Sequence, residues 1–437
     1  MKETTDYILR FLLGKPNAGY ADFIGYTADE KKFSDYKIVI IPSEFFDENV
    51  FGTPRSLPEL PLQSWRETPL LFGASKEEQM GETLIIHADI IASTFFLISR
   101  YEETVSRYER DAHGRFPGKK SLPFRAGFLH RPIVDEYGKS LRELLKKAGL
   151  DSTEPDESFQ KIYLTHDADL IAHYRNLRGV GGALSRVFKN PYQAVKALQT
   201  CFFGLKHDPW YTFPWLFELA KELKNVKSES EIEVIVFIKS GGGEMMPDKP
   251  LHNIFDKDFG KLFNLCRRNS VKIGLHPSYL AGEKTELIVK EKSILDKAFK
   301  QNTVYSRNHF LRNREPEDFQ ALLDAGLTDD FTMTYADVAG FRLGTCKAVN
   351  WINPKSLEVT KLILHSTVIM DSTLSDVRYM NLSADSAFSF SKKMIDEVKK
   401  HNGELVLLWH NTAVEKNNGL YHRDLYSWII NYLKQPF

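Results

Sequence analysis

Residues 161–169, which read KIYLTHDAD, decide the fold because they join a short apolar run directly to two carboxylates. Residues 162–164 are strand formers, and Asp167 and Asp169 follow them. In an extended chain, residues two apart point to the same side, so both carboxylates face one direction. Two like charges this close repel unless a cation or a shared proton lies between them. The stretch is therefore either a polar turn after a buried strand or a metal-plus-base site at a strand end.

Strand-like and helix-like segments alternate from this stretch to the C-terminus. Such alternation predicts a parallel sheet, and about seven repeats favour an α/β fold with a deformed (β/α) barrel over an open sheet. Strands are predicted at residues 161–165, 232–239, 271–275, 303–306, 357–370 and 404–409. Helices are predicted at residues 191–203, 214–225, 255–269, 285–299, 316–325, 383–401 and 423–433.

The first third of the chain differs from the rest in its pattern. The polar stretch DSTEPDES at residues 151–158 is the best boundary, which predicts a smaller α/β module at residues 1–155 and the barrel at residues 156–437. In the module we predict a strand at residues 36–42, helices at 83–97 and 136–149, and an extended ordered loop at 111–132.

Composition excludes several classes of protein. The chain has 437 residues, with 58 Lys plus Arg and 58 Asp plus Glu, so no net charge attracts nucleic acid or an anionic membrane. Its three cysteines have neither disulfide-framework nor zinc-finger spacing. The N-terminus does not resemble a signal peptide, and no window is apolar enough to span a membrane. We therefore expect a cytoplasmic protein with no nucleic-acid partner and no membrane span.

Polar residues of the types found in metal-binding and catalytic sites follow the predicted strands. In (β/α) barrels the chemistry lies at the carboxyl ends of the strands. A single histidine there is usually structural, but six polar strand ends in chain order are difficult to obtain by chance. They are residues 165–169 (THDAD), 276–279 (HPSY), 307–312 (RNHFLR), 328–330 (TDD), Arg342 after a Gly-Phe pair, and 410–411 (HN).

This series resembles the NodB-homology polysaccharide deacetylases, carbohydrate esterase family four, from about residue 159 to the C-terminus. The segments THDAD, IGLHPSY, SRNHFLR, TDDF and LLWHN resemble that family's five motifs in order. The series is especially similar to a bacterial branch that also carries an N-terminal module like residues 1–155. The resemblance implies a deformed (β/α) barrel that hydrolyses acetylated sugars.

The resemblance also implies roles for individual residues. Asp167 is expected to be the general base, and Asp169 and His276 are expected to be metal ligands. His410 is expected to be the general acid that protonates the leaving amine. The metal is expected to be Zn²⁺, with Co²⁺ or Ni²⁺ as alternatives, because mixed carboxylate and imidazole ligands suit such ions.

Three departures from the family pattern leave alternatives open. Ala168 separates two carboxylates that are usually adjacent. Leu280 stands where the second motif normally has another histidine, and His309 is the candidate replacement, although it could equally be structural. The proline of the third motif is absent, so the arginine that orients the base is Arg342 as first choice or Arg307 as second.

Other polar and aromatic strand-end residues have weaker assignments. Asp330 either positions His410 or closes a turn. Tyr279 and Trp409 are candidate sugar-stacking residues, and each could instead be a packing residue. His166 is on the strand face opposite the two carboxylates, which favours a position in the core.

The sequence thus predicts metal-dependent hydrolysis of an amide-linked acetyl group on an N-acetylated sugar or polysaccharide precursor. A carbohydrate is the expected partner. One alternative is a catalytically impaired relative that binds saccharides or acts as a scaffold, and another is a hydrolase of a non-sugar C–N bond. Residues 1–155 could shape the substrate cleft, mediate homo-oligomerisation or bind another partner.

Overall fold

The computed structural model describes residues 1–175, 177–185, 188–189, 191–228 and 231–435. Within these ranges, no helix combines the length and the apolar character needed to cross a membrane. The chain divides into two compact units, each built from several segments. One unit comprises Met1–Gln160, Phe310–Val368 and Met394–Leu405, and the other comprises Lys161–His309, Ile369–Lys393 and Val406–Phe437. A domain boundary between residues 155 and 156 stays a prediction.

The N-terminal region contains a four-stranded sheet of order β1-β2-β6-β5, in which β5 alone is antiparallel to its neighbour, and a separate β3–β4 hairpin. Its strands are β1 (Ile24–Tyr26), β2 (Ile38–Ile40), β3 (Gln63–Trp65), β4 (Thr68–Leu70), β5 (Gly73–Met80) and β6 (Thr83–Ala88). Its helices are α1 (Lys2–Leu13), α2 (Ile90–Ile98), α3 (Tyr101–Val105), α4 (Leu122–Arg125) and α5 (Ile133–Lys147).

The helix predicted at residues 83–97 is wrong over its first half. Residues 83–88 form β6, which pairs with β2 on one side and with β5 on the other. The strand ends at Ala88, and the carboxylate of the next residue, Asp89, accepts a hydrogen bond from the Ala92 N–H at 2.9 Å and caps α2. Every residue of α2 is buried, so the apolar run carried no periodicity that could separate strand from helix.

A closed barrel of seven parallel strands with surrounding helices follows, as predicted. Its strands are β7 (Lys161–Ala168), β8 (Ile232–Ile238), β9 (Lys272–Leu275), β10 (Tyr305–Ser306), β11 (Asp329–Met333), β13 (Val359–Met370) and β14 (Glu404–His410). The sheet order is β11-β10-β9-β8-β7-β14-β13-β12, where β12 (Val349–Ile352) is antiparallel to β13, and a further β11–β13 pairing closes the barrel.

The helices of this region lie within two residues of the predicted ends wherever a helix was predicted. They are α6 (Leu177–Leu184), α7 (Pro191–Phe203), α8 (Phe213–Lys224), α9 (Lys257–Arg268), α10 (Leu287–Phe299), α11 (Glu317–Asp324), α12 (Asp371–Ser375), α13 (Ala384–Lys400) and α14 (His422–Lys434).

The strand register brings the carboxyl ends of four strands into one row. Ala168 of β7 pairs with Ile238 of β8, Ile238 pairs with Leu275 of β9, and Leu275 pairs with Ser306 of β10. The residues that follow this row therefore begin at the same edge of the sheet. The register alone thus explains why residues distant in sequence meet there.

Candidate metal centre

Asp169, His276 and His309 come together at this edge. The Oδ1 atom of Asp169 lies 3.3 Å from His276 Nε2 and 3.4 Å from His309 Nε2. One ligand atom from each of the three residues lies within 4.8 Å of the others. Asp169 Oδ1 is sequestered from solvent and accepts no hydrogen bond from any residue that the structure describes. This carboxylate oxygen and the two imidazoles that face it are a donor set that could hold a divalent metal.

The partners of the two histidines favour presenting Nε2 to the centre. The carbonyl oxygen of Arg307 lies 2.6 Å from His276 Nδ1, which places the proton on Nδ1 and the lone pair on Nε2. His309 Nδ1 lies 3.7 Å from the carboxylate of Asp248. Such outer partners orient metal-binding imidazoles in proteins.

Asp248 is a buried residue that the sequence did not single out, and it organises the loop after β9. Its carboxylate accepts hydrogen bonds from the backbone N–H groups of Tyr279 at 2.7 Å and of Leu280 at 3.0 Å. Leu280, which occupies the usual histidine position, therefore contributes its backbone to this loop. The second imidazole beside Asp169 belongs to His309, which follows the adjacent strand β10.

Arg307 is the arginine that binds the predicted base. Its Nη1 donates to Asp167 Oδ1 at 2.9 Å, and its Nη2 donates to Thr165 Oγ1 at 2.7 Å. The guanidinium carbon also lies 4.5 Å from the centre of the Phe237 ring. With one oxygen engaged by Arg307, Asp167 directs Oδ2 toward His276 Nε2, at 3.9 Å.

Arg342 is the predicted first choice for the arginine that orients the base, and its contacts correct this prediction. Arg342 donates to both carboxylate oxygens of Glu103, at 2.9 and 2.8 Å, and to the carbonyl of Thr334. Glu103 also pairs with Arg100, and these two arginines outweigh burial and hold the pKa of Glu103 near 2. Arg342 lies in the connection between β11 and β12, and its carboxylate partner there is Glu103 rather than Asp167.

His410 is held by Asp371, a residue that sequence reasoning missed. Asp371 accepts from the His410 backbone N–H at 2.7 Å and pairs with Nδ1 at 2.8 Å. Burial opposes protonation of His410, but the charges of Asp371, Asp169 and Asp167 outweigh it and raise its pKa to about 10. The signal was available, because Asp371 directly follows β13.

The carboxylate that contacts His410 is therefore that of Asp371 rather than that of Asp330. Asp330 lies near the start of β11, not at its carboxyl end. Its carboxylate accepts hydrogen bonds from the backbone N–H and the hydroxyl of Thr332, each at 2.9 Å, within the same strand.

The structure bears differently on the two aromatic residues that are predicted to stack on a sugar, Trp409 and Tyr279. Trp409 is fully buried, packs 5.4 Å from the Tyr426 ring and donates Nε1–H to the His422 carbonyl, so its predicted contact with a sugar is wrong. Along β14 the alternation that turns His410 toward the centre turns Trp409 toward the helices. Tyr279 is 7% exposed, and its sugar contact stays a prediction. His166 is fully buried, and burial lowers its pKa to about 4.

Lys239 is a further buried cation near the centre. It follows β8 and donates to the backbone carbonyl of Asp248 at 3.0 Å. Burial lowers its pKa, against the opposing attraction of Asp169 and Asp248. The predicted strand included this residue, so its position at the strand end went unnoticed.

The chain is similar to known proteins over parts of its length. A family model described as a family of unknown function, DUF7033, matches residues 4–150. No curated protein matches the sequence. Among solved structures, the chain is similar to a Mycobacterium smegmatis protein described as a "putative polysaccharide deacetylase", with 12% identity and a TM-score of 0.40 over 64% of this chain and 86% of that one.

Proposed function

We propose that this protein is a metal-dependent hydrolase that removes an amide-linked acetyl group from an N-acetylated sugar or polysaccharide precursor. The observation that carries the proposal is the convergence of three groups at one edge of the barrel. These are the Asp169, His276 and His309 donor set, the Asp167–Arg307 pair and the His410–Asp371 pair. The resemblance of the strand-end motifs to NodB-type deacetylases supports the substrate class.

Asp169, His276 and His309 would hold the metal, with Zn²⁺ as the expected ion. Bound in such a site, a divalent metal polarises the acetyl carbonyl and increases the acidity of water. The rest of the chemistry belongs to side chains of the chain itself.

Asp167 would accept the proton of the attacking water. Arg307 engages Oδ1 through a charge-assisted hydrogen bond and fixes the orientation of the carboxylate. The Oδ2 atom, which points toward the metal donors, is the oxygen that takes the proton. Such proton transfer by a positioned base contributes about 10²–10⁴-fold to a rate.

His410 would give a proton to the nitrogen of the leaving amine, which departs poorly as an anion. Because Nδ1 is bound to Asp371, Nε2 is the atom that can donate. The Nε2 atom lies 3.8 Å from Asp169 Oδ2, on the side of the metal donors. Base and acid therefore flank the place where the amide would lie.

The test is acetate release from N-acetylhexosamine oligomers and lipid-linked precursors by the metal-loaded protein. We expect Asp167→Asn to reduce turnover at least about 10²-fold while metal content stays unchanged. Asp424→Asn, at an exposed aspartate of α14, is the matched control and should retain full turnover. Unchanged activity in Asp167→Asn would rule out the base assignment, and no acetate from any acetylated sugar would contradict the proposed function.

The two alternative functions would both leave the acetylated sugars intact, so oligomer binding and metal content are the measurements that separate them. A saccharide-binding scaffold should bind these oligomers without releasing acetate, and the presence of His309 beside Asp169 and His276 argues against it. A hydrolase of a non-sugar C–N bond should take up metal stoichiometrically and leave every acetylated sugar intact.

A further inference from the structure

The first part of the connection between β7 and β8, residues 170–207, has charged side chains of positive sign only. Residues 170–207 contain six Lys or Arg residues and no Asp or Glu, in a chain whose total charge is zero. The segment includes α6 and α7, and it lies within the second compact unit. The neutral composition of the whole chain therefore conceals a local excess of positive charge.

The helix α7 buries its small residues. Ala194, Ala197 and Thr200, which follow one another at three-residue spacing, are buried. Ala197 packs in a small cluster with Tyr174 and Ala183 of the same segment. Helices of soluble proteins normally direct their large apolar residues inward, and α7 does the reverse.

Its large apolar residues face solvent. Val195, Leu198 and Phe202 are spaced by three and four residues, so they share one face, and they are 50%, 42% and 78% exposed. Phe203 is 68% exposed beside them, and Phe188, in the turn before the helix, is fully exposed. A group of large apolar side chains exposed on one helix face and in the turn before it is typical of an interaction site.

Cationic side chains accompany this apolar face. Lys189 is exposed beside Phe188, and Lys196 Nζ lies 5.7 Å from the ring centre of Tyr192. Exposed aromatic and aliphatic side chains interleaved with lysines are the composition of helices that lie in the plane of a bilayer surface.

The base of the segment is tied to the candidate active site. The carboxylate of Asp208 accepts from the backbone N–H groups of His173 and Tyr174, each at 2.8 Å, which joins the two ends of the segment. The amide of Asn411, the residue after His410, donates to the carbonyls of Leu170 and Trp210 at 2.8 and 2.7 Å. The apolar face therefore extends from a stem that is fixed beside the predicted general acid.

We propose that the lipid-facing surface, formed by Phe188, Lys189, Val195, Lys196, Leu198, Phe202 and Phe203, binds the surface of a bilayer that contains anionic lipid. The positive charge matches anionic headgroups, and the aromatic and aliphatic side chains match the boundary between headgroups and acyl chains. Pairing of this surface with a second copy would bring lysines of like charge together. The proposal does not depend on the proposed deacetylase activity.

The test is flotation of the full chain with vesicles of phosphatidylcholine alone and of phosphatidylcholine with phosphatidylglycerol, at low and high salt. We expect binding to the anionic vesicles that weakens as salt rises. The double variant Phe188→Ser/Phe202→Ser should lose binding. Lys189→Glu/Lys196→Glu should weaken it at least about fivefold for each lysine charge removed.

Matched controls are Tyr108→Ser, at a fully exposed aromatic residue of the N-terminal region, and Lys15→Glu/Lys146→Glu, at exposed lysines there. These variants should bind like the wild type. Wild-type protein that stays unbound to anionic vesicles, or serine variants that bind unchanged, would overturn the proposal. A concentration-dependent dimer in sedimentation that Phe202→Ser abolishes, without vesicle binding, would also overturn it in favour of self-association.

Discussion

Arg307 and Arg342 are both buried arginines that bind a carboxylate, and their partners distinguish a chemical role from a structural one. Arg307 binds Asp167, which belongs to the candidate site, whereas Arg342 binds Glu103 in a buried network with Arg100. A lysine can keep the charge at either position, but it cannot reproduce two donors in a fixed fork. Replacement by lysine should therefore lower the turnover rate at position 307 and the stability of the fold at position 342.

Arg307→Lys should lower kcat by at least about tenfold, because one charge-assisted hydrogen bond to the base or its neighbour is lost. Arg342→Lys should leave kcat per folded molecule unchanged and lower the free energy of unfolding by about 2 kcal/mol. Acetate-release kinetics and denaturant unfolding of both variants provide the measurement. A loss of kcat confined to Arg342→Lys would reverse the two assignments.

Asp371 is predicted to be a positioning residue that acts through His410. Asp371→Asn keeps the size of the side chain but replaces one carboxylate oxygen by an NH2 donor, so it no longer accepts from both the backbone N–H and the Nδ1–H of His410. We expect kcat to fall by about 10²-fold with KM and metal content unchanged, since substrate and metal contacts are intact. A purely structural role would instead lower the unfolding midpoint and leave the kcat of the remaining folded protein intact.

At the scale of elements, the sequence predicts where strands and helices lie in the chain better than it predicts which side chains contact each other. Six of the seven parallel strands of the barrel, all but β11, and most of its helices were predictable because apolar runs and capping residues are local signals. The strand-end series located Asp167, Asp169 and His276 because parallel strands end at one edge. Partners such as Glu103 for Arg342 lie 239 residues apart, and no local pattern reports such a pairing.

Sequence patterns failed where a local signal was ambiguous or hidden. The run at residues 83–97 is mostly apolar, and only Asp89, which caps α2, marks the boundary, so a strand and a helix in series were predicted as one helix. Asp371 directly follows a predicted strand, but no local pattern shows that it pairs with His410, 39 residues away. Asp330 was misplaced because β11 begins, rather than ends, at the TDD stretch.

The strand pair β11–β13 contains a buried histidine that makes stability depend on pH. His365 lies between Glu404 and Asp329, at 2.7 and 3.2 Å, and stacks on Phe331. Burial opposes its protonation, but the two carboxylates outweigh it and raise its pKa from 6.5 to about 9. The protonated imidazole therefore stabilises the folded state fully below pH 6.5, and this contribution is lost as pH rises through 9.

We expect the free energy of unfolding to fall by about 3 kcal/mol from this group between pH 6.5 and 9. His365→Gln should be less stable at pH 6 and should show a flatter dependence over the same interval. Denaturant unfolding at several pH values measures both slopes, with His207→Gln, at a half-buried histidine, as the control. Equal slopes for wild type and His365→Gln would contradict the assignment.

At the scale of the whole molecule, segments distant in sequence share one compact unit. Met1–Gln160 belongs to the same unit as Phe310–Val368, and the buried Arg100–Glu315 and Arg342–Glu103 pairs connect these segments. A fragment of residues 156–437 would leave Glu315 and Arg342 without these partners. Breaking a buried pair by removing one partner costs about 3–5 kcal/mol.

This fragment should therefore unfold at a lower temperature than the full chain, or without cooperativity. Circular dichroism melting of both proteins provides the comparison. Cooperative melting of the fragment at the full-length midpoint would show instead that residues 156–437 are an independent domain, as the polar linker at residues 151–158 predicts.

The central claim is that Asp169, His276 and His309 together bind the catalytic metal. An anomalous difference map at the zinc edge, from crystals of the Zn²⁺-loaded protein, tests it most directly. We predict one peak about 2.0–2.2 Å from a carboxylate oxygen of Asp169 and from Nε2 of both histidines. The absence of a peak at this position after loading, or a peak that His309 does not contact, would contradict the account.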